Sequence, residues 1–371
     1  MASSNKKLYF TAGPAKIPHE VMLQVQRELL DYNGMNISVM EMSHRSKEFA
    51  AIIEETEANL RKLINIPDDY SVLFMHGGAK SQFDTVPMNL CSELGKHKVE
   101  YIINGSWSKM AVKEAEKYAQ VVKQELKSDT YTRQPAYEEL QEFDDVTYRY
   151  YCDNETIQGV EFNYVPAYKN GKVPLVCDMT SNFLSRPIDV KKFGVIFAGA
   201  QKNCGIAGLV IVIIRNDLIG KHMRIVPNVQ NYQIMQKDKS LHNTPLTFAI
   251  YVANLCVKWA LERGGLEGMD RFSKEKSQIL YDLIDQSNGF YTNPVDKSSR
   301  SRMNVVFLLS NKDLEAKFLE ESRAANLFEL KGHRSVGGFR ASLYNGIELD
   351  DVKRLAGFMS DFMRKHGKAS S

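Results

Sequence analysis

The 371 residues, 43% hydrophobic and 25% charged, have the balance of an ordinary globular chain long enough for roughly two domains. The 48 basic and 45 acidic side chains leave a net charge of +3, with no basic run interleaved with aromatics. That argues against a nucleic-acid partner and leaves room for a local pocket that takes a small anion. No apolar stretch reaches the roughly 18 residues of a membrane span, MASSNKKLYFTAGPAKIP lacks the apolar core of a secretory signal, and five scattered cysteines form no C-x-x-C. A cytoplasmic protein with reduced, apolar thiols and no membrane partner is expected.

Along the chain, the frayed ends MASSNKK and GKASS enclose an alternation of helical and strand patterns without internal repeats. EVMLQVQRELLDY and KEFAAIIEETEANLRKLIN read as amphipathic helices, YSVLFMHGG as a strand ending in glycines, and SQFDTVPMNL as the helix after it. VEYIINGSW is a strand leading to helix KMAVKEAEKYA; VTYRYYC, VPLVCDM, GVIFAGAQK and GLVIVIIR follow as strands, and FAIYVANLCVKWALERGG as a long helix ending at a glycine pair. Short, continuously apolar strands such as LVCD, VIFA and LVIVII between helices predict a mainly parallel sheet covered on both faces. Beyond about residue 265 the pattern changes. Helices FSKEKSQILYDLID, DLEAKFLEESRAAN and LDDVKRLAGFMSDFM alternate with strands MNVVFLL, LFELKGH and GGFRASLYN. The expectation is an α/β chain: a large mainly parallel-sheet domain over 17–264, and a smaller α+β domain over 265–371 that also takes 1–16.

Ligands of open α/β sheets bind beyond the carboxyl ends of the strands. Gly77 to Gln82, Trp107, Thr156, Asp178, and Gln201 with Lys202 all fall at such ends. Asp178 closes LVCD and Lys202 follows VIFAGAQ. A buried carboxylate and a lysine amine are the two groups a pyridoxal-phosphate site requires: one keeps the pyridine nitrogen protonated, the other forms the imine and shuttles a proton at the substrate α-carbon. Alone, such a pair reads as a buried ion pair, Gly77-Gly78 as a plain strand-to-helix turn and Trp107 as a core indole; their convergence on one rim favours the cofactor reading. Amides at the start of a helix can also hold a phosphate, and an indole can cover a flat ring. His44 and Arg45 in MSHRSKEF, with His333, Arg334 and Arg340 in KGHRSVGGFR, form a set of cations suited to a doubly anionic substrate. G-x-x-x-x-G-K-[ST], G-x-G-x-x-G after a strand, clustered zinc ligands and G-x-S-x-G are all absent.

FTAGPAKIP, SVMEMSHRSKEF, YYCDNETIQGVEF, NFLSRPIDVKKFGVIFAGAQKN, NTPLTFAIY, SRMNVVF and KGHRSVGGFRASLYN together resemble the phosphoserine aminotransferases, class V aminotransferases of pyridoxal fold type I, from about residue 8 to about 365. The resemblance implies pyridoxal phosphate held covalently by Lys202, with Asp178 on the pyridine nitrogen, Trp107 on the ring and Thr156 on the phenolic oxygen. It implies that the amides of Ala79 and Lys80, with Gln201, meet the cofactor phosphate, joined by Asn243 and Thr244 from the partner subunit of a homodimer with shared sites. Arg340 would hold the substrate α-carboxylate. His44, Arg45, His333 and Arg334 would surround the substrate phosphate or the distal carboxylate of glutamate. The implied reaction passes an amino group reversibly between O-phospho-L-serine and 2-oxoglutarate, giving 3-phosphooxypyruvate and L-glutamate, in serine biosynthesis.

Lys80, Ala12, Leu246, Cys204 and Ile206 depart from the family pattern, and Ala12 is left out of the expected site. Two other class V activities fit less well. A desulfurase needs a mobile cysteine well after the lysine, whereas the last one here, Cys256, lies in an apolar helix pattern; a glyoxylate-type enzyme leaves the His-Arg pairs unexplained. A non-catalytic anion-binding protein on the same fold has no use for a complete catalytic set.

Overall fold

The computed structural model describes residues 6–126 and 130–367; the expected fraying at residues 1–5 and 368–371 lies outside the described residues. Helix α1 spans His19–Glu28, and α2 spans Lys47–Ile64. The Ser46 Oγ accepts the Phe49 amide at 3.2 Å and so starts α2. Phe49, Ile52, Ile53, Leu60 and Leu63 then recur at helical spacing and are buried. Strand β1 (Tyr70–His76) leads to α3 (Gly78–Leu90), β2 (Lys98–Ile103) to α4 (Ser106–Ala115), and β3 (Gln120–Glu125) follows. Next come β4 (Val146–Cys152), β5 (Leu175–Asp178), β6 (Val195–Gly199) and β7 (Leu209–Arg215), then α5 (Thr247–Glu262), α6 (Gly265–Asp285) and, near the end, α7 (Leu349–His366).

The seven strands form one sheet in the order β1-β7-β6-β5-β4-β2-β3. Pairing is parallel from β6 through β3, and β7 runs antiparallel to both β1 and β6. Because side chains alternate across a strand, Ile196 and Ala198 pack into the core shared with α2 and α5, whereas Val195 and Phe197 pack on the opposite face with residues of α3 and α4. The sheet is therefore mainly parallel and buried on both faces, as the unbroken apolar runs predict. Strand β3 was not among the expected strands. It is an edge strand with one neighbour, and its sequence QVVKQE is half-solvated and polar, so it lacks the apolar run that marks a central strand.

A second layer of structure surrounds Tyr291–Thr292, Asn304–Leu309 and Phe339–Ser342, which form a three-stranded antiparallel sheet. Leu8–Tyr9 pairs in parallel with Leu327–Phe328, so the N-terminal segment joins the core of Phe307, Phe318, Leu355 and Phe362. Three expectations need correction here. The strand read in LFELKGH stops at Phe328, because Glu329 takes a left-handed φ of 61°. The helix read from Phe272 begins at Gly265: Gly264 and Gly265 both have positive φ and turn the chain from α5 directly into α6. Helices α3 and α4 begin at Gly78 and Ser106, earlier than Ser81 and Lys109, so Trp107 sits in the first turn of a helix.

Arg149 on β4 and Glu100 on β2 form a fully buried ion pair, Nη2 to Oε1 at 2.8 Å. The guanidinium also donates to the Pro166 carbonyl at 3.0 Å and lies 4.1 Å from the Tyr168 ring centroid. Removing one partner of such a pair strands the other charge, so Arg149→Met is expected to cost about 3–5 kcal/mol in urea denaturation.

Candidate active site

At the carboxyl ends of the parallel strands lies a cavity of about 620 Å³, lined by Gly77, Gly78, Ala79, Lys80, Trp107, Thr156, Asp178, Thr180, Gln201, Lys202, His333 and Arg340 among others. Lys202 is buried, three residues beyond Gly199 at the end of β6, and its Nζ donates to Thr156 Oγ1 at 2.5 Å. Its Nζ lies 5.7 Å from the Trp107 ring centroid and 5.9 Å from that of Tyr344. Asp178, the last residue of β5, is 4% exposed, and its Oδ1 accepts the Thr180 amide at 2.9 Å. Burial pushes its carboxyl up from the usual range, opposed by bonds from Thr180 and by the charge of Lys202. A carboxylate held in that position favours a cationic N–H in front of it.

The opposite wall is built from the start of α3. Gly77 and Gly78 have φ of 93° and 63°, a left-handed pair that a side chain would strain. The Gly78 amide donates to the Gly208 carbonyl at 3.0 Å, and Ala79 and Lys80 follow with first-turn amides that have no acceptor within the helix. At Gly199 a Cβ would stand 2.7 Å from Gln201 Oε1 and 3.2 Å from the Ala79 nitrogen. Gln201 Oε1 and Trp107 Nε1 are buried and have no hydrogen-bond partner among the described residues. Lys80 Nζ is 5.7 Å from the Trp107 ring centroid.

Arg340 brings positive charge to the same cavity, with the His333 ring beside it on the lining. The Arg340 Nη1 donates to the Thr156 carbonyl at 3.2 Å, and among the described residues no carboxylate pairs with the guanidinium. Burial, with the charges of Arg340 and Arg334, pulls His333 down from its ordinary value. A guanidinium without an acid partner, beside an imidazole that can donate, suits an incoming anion. The other expected residues do not line this chain's cavity. His44 and the exposed Arg45 lie in the turn before α2, and Arg334 is exposed beside His333. Thr244 is exposed, and the Nδ2 of Asn243 lies 3.2 Å from His76 Nε2. Gln82, on the expected rim, instead faces inward, where its Oε1 accepts the Tyr232 hydroxyl at 2.7 Å.

Several residues at the site were not singled out from sequence. Thr180 holds Asp178 from two residues away, a spacing legible as an Asx-type turn. Ala12, excluded from the expected site, lines the cavity together with Gly13, and a Cβ on Gly13 would lie 3.3 Å from Lys202 Cγ, so this segment packs along the lysine stem. Tyr344 donates its hydroxyl to the Ala12 carbonyl at 3.1 Å. Of the departures, Cys204 is fully buried in the core, and Leu246 sits where a Cβ on Gly208 would meet it at 3.4 Å.

The family model for class-V aminotransferases matches residues 8–355, and the chain belongs to that family. Phosphoserine aminotransferase from Drosophila melanogaster is 50% identical over 361 residues, covering 96% of this chain and 98% of the relative. The solved phosphoserine aminotransferase of Bacillus circulans subsp. alkalophilus superposes with a TM-score of 0.92 at 42% identity, over 96% of this chain and 98% of that one. A pyridoxal-phosphate-bound phosphoserine aminotransferase from Trichomonas vaginalis gives 0.90 at 39% identity, over 96% and 100%. Within the class-V family, this chain is thus one of the phosphoserine aminotransferases, transaminases dependent on pyridoxal phosphate. The residues present fit that cofactor: a deep carboxylate, an amine within the same cavity, an indole on the wall, and a glycine-lined helix start with an unpartnered glutamine oxygen beside it.

Proposed function

We propose that the chain passes the amino group of O-phospho-L-serine to 2-oxoglutarate, reversibly, with 3-phosphooxypyruvate and L-glutamate as products, as a step of serine biosynthesis. The observation that carries this reading is one cavity holding the Lys202 amine, the buried Asp178 carboxylate, the His333 ring and the Arg340 guanidinium, which among the described residues has no acid partner. When bound, pyridoxal phosphate supplies an electron-accepting ring and an aldehyde carbon that takes amines in turn. Lys202 gives the amine that holds the cofactor, and its Nζ moves the proton at the substrate α-carbon, with Thr156 Oγ1 steering it. Asp178 keeps a proton on the ring nitrogen, and Trp107 covers the ring. Ala79 and Lys80 offer backbone amides to the cofactor phosphate, with Gln201 beside it. Arg340 takes the substrate α-carboxylate; His333, Arg334, His44 and Arg45 take the distal phosphate or carboxylate. The division into a large cofactor-holding unit, 17–264, and a smaller one of 1–16 with 265–371 is supported by their separate apolar cores.

A homodimer with shared sites is part of the proposal. What supports it is that His44, Arg45, Asn243 and Thr244 do not line their own chain's cavity, while Met22, Leu23, Leu30, Met35 and Met40, in the segment that precedes His44 in sequence, are exposed. Under a closed two-fold arrangement each site would take these groups from the partner subunit. A cytoplasmic location accords with five buried, unpaired cysteines, and no helix among the described residues is long and apolar enough to cross a membrane.

An assay offering phosphoserine, serine and alanine in turn as amino donors tests the substrate: phosphoserine is expected to dominate, and equal turnover of alanine refutes the anion site. Arg45→Ala and Arg334→Ala are each expected to cut kcat/KM for phosphoserine about 10- to 150-fold, the scale of one charge-assisted contact, with cofactor binding little changed. Chains carrying Arg45→Ala, unfolded and refolded together with chains carrying Lys202→Ala, test the sharing of sites. Random pairing places both lesions in one site of each mixed dimer and leaves the other intact, so about a quarter of wild-type activity should return. If each site uses a single chain, mixing restores nothing.

A further inference from the structure

Glu155 is a fully buried carboxylate that does not line the cavity, and among the described residues it forms no ion pair. It lies in a short hairpin, Asn154–Glu155 paired with Val160–Glu161, immediately before Thr156. Its Oε2 accepts the Trp107 amide at 2.8 Å, and its Oε1 accepts the Ser108 amide at 2.7 Å and the Ser108 hydroxyl at 2.7 Å. Gln158, in the turn of the same hairpin, accepts the Ser106 amide at 3.2 Å and donates to the Ser106 hydroxyl at 2.7 Å. The first three amides of α4 therefore all end on this hairpin. The approach is close: a Cβ on Gly105 would stand 2.2 Å from Glu155 Cδ, so position 105 has room for glycine alone.

Capping α4 does not require this arrangement. A serine, threonine or asparagine at the N-cap would satisfy one of these amides without burying a charge, and a buried carboxylate without a cation is costly. Burial indeed pushes the Glu155 carboxyl up to about 7, against the bonds from Ser108 and Trp107. What the carboxylate adds is a link. One end of it fixes the helix turn that carries Trp107, and its own backbone runs into Thr156, whose hydroxyl holds Lys202. Both residues face the same lysine nitrogen from elements far apart in sequence.

We propose that Glu155 is a positioning residue that locks the Trp107 ring and the Thr156 hydroxyl into one rigid unit around the Lys202 nitrogen. It acts through those two residues and touches neither substrate nor cofactor. The proposal rests on the reading of Lys202 given above, and its test separates the two.

Glu155→Gln is close in size but turns one acceptor oxygen into a donor, so one of the two backbone amides loses its bond. The variant is examined in a Trp259→Phe background, where Trp107 is the one remaining tryptophan of two. The expected result has three parts. At saturating pyridoxal phosphate the visible absorption of the bound cofactor keeps its amplitude, because Lys202 is intact. The kcat for phosphoserine falls about tenfold or more, while KM moves by less than about threefold. The emission maximum and anisotropy of Trp107 change in the cofactor-free protein, which a merely stabilising residue elsewhere would not produce. Ser108→Ala removes one of the three donors to Glu155 and also leaves the Asn104 and Gly105 amides without their serine acceptor, so it loosens the same junction; it should lower kcat and change the Trp107 emission in the same direction with the cofactor absorption kept, and the proposal stays testable if Glu155→Gln does not fold. Parental kcat and Trp107 emission in Glu155→Gln, or in Ser108→Ala where that is the only folded variant, overturn the proposal. So does a kcat lowered only by the unfolded fraction. Visible absorption that persists in Lys202→Ala instead overturns the reading of Lys202, whatever Glu155 does.

Discussion

Lys202→Ala is expected to lose the visible absorption of bound pyridoxal phosphate and to lower kcat/KM for phosphoserine by roughly 10⁴-fold or more, the scale of a lost proton-transfer group with the loss of the covalent amine added. The amine has no substitute in the cavity. Lys80, the other lysine on its wall, belongs to the first turn of α3, its Nζ 5.7 Å from the Trp107 ring centroid, and it lacks the Thr156 bond that holds the Lys202 amine. The loss should not come from unfolding. Among the described residues the lysine head bonds to Thr156 alone, and its stem packs along Gly13, so truncation leaves a small gap at an existing cavity. Far-ultraviolet circular dichroism and the urea midpoint should therefore stay near those of the parent. A variant that keeps the absorption band, or keeps turnover within about tenfold, would remove Lys202 from its place in the chemistry.

The parts of the site that were legible in the sequence are those whose position follows from a buried strand. LVC and VIFAG are apolar throughout, so the polar groups that follow them, Asp178 at the last position of its strand and Lys202 beyond the end of the other, had to emerge at the strand ends. The glycine pair before α3 was legible for the same reason. What depends on pairing across the molecule was not. The edge strand β3 carries a polar sequence because half of it faces solvent, and two-residue pairings such as Leu8 with Leu327 have no periodicity to detect. The start of α4 was placed three residues late because its cap comes from Glu155, about fifty residues away, and not from a local serine or aspartate. Ala12 lines the cavity from one end of the chain, and Tyr344, near the other end, has its ring centroid 5.9 Å from Lys202 Nζ and donates its hydroxyl to the Ala12 carbonyl. No local pattern marks either of them. His44, Arg45, Asn243 and Thr244 show the opposite case: motif resemblance names them, while the single chain does not bring them to its own cavity.

Asp178→Asn should separate activity from stability. The asparagine preserves shape and can still accept the Thr180 amide, but it offers no charge to keep a proton on the ring nitrogen. Losing one preorganised electrostatic contact of this kind costs roughly 10²- to 10³-fold in kcat, with the cofactor still bound through Lys202. Stability should respond the other way in the cofactor-free protein. Burial raises the Asp178 carboxyl above its ordinary 3.8, so the folded chain holds that proton more tightly than the unfolded chain does. Its contribution to stability is therefore full below 3.8 and is lost as the pH rises through the raised value. Asparagine does not titrate, so urea midpoints of cofactor-free Asp178→Asn should lack that decline and at neutral pH should equal or exceed those of the parent. With pyridoxal phosphate bound, the parent should recover the difference, because a protonated ring nitrogen gives the buried carboxylate its counter-charge. A variant that turns over within about threefold of the parent, or whose cofactor-free midpoint falls as steeply with pH, would show that the carboxylate is a structural acid and that the ring nitrogen meets another group.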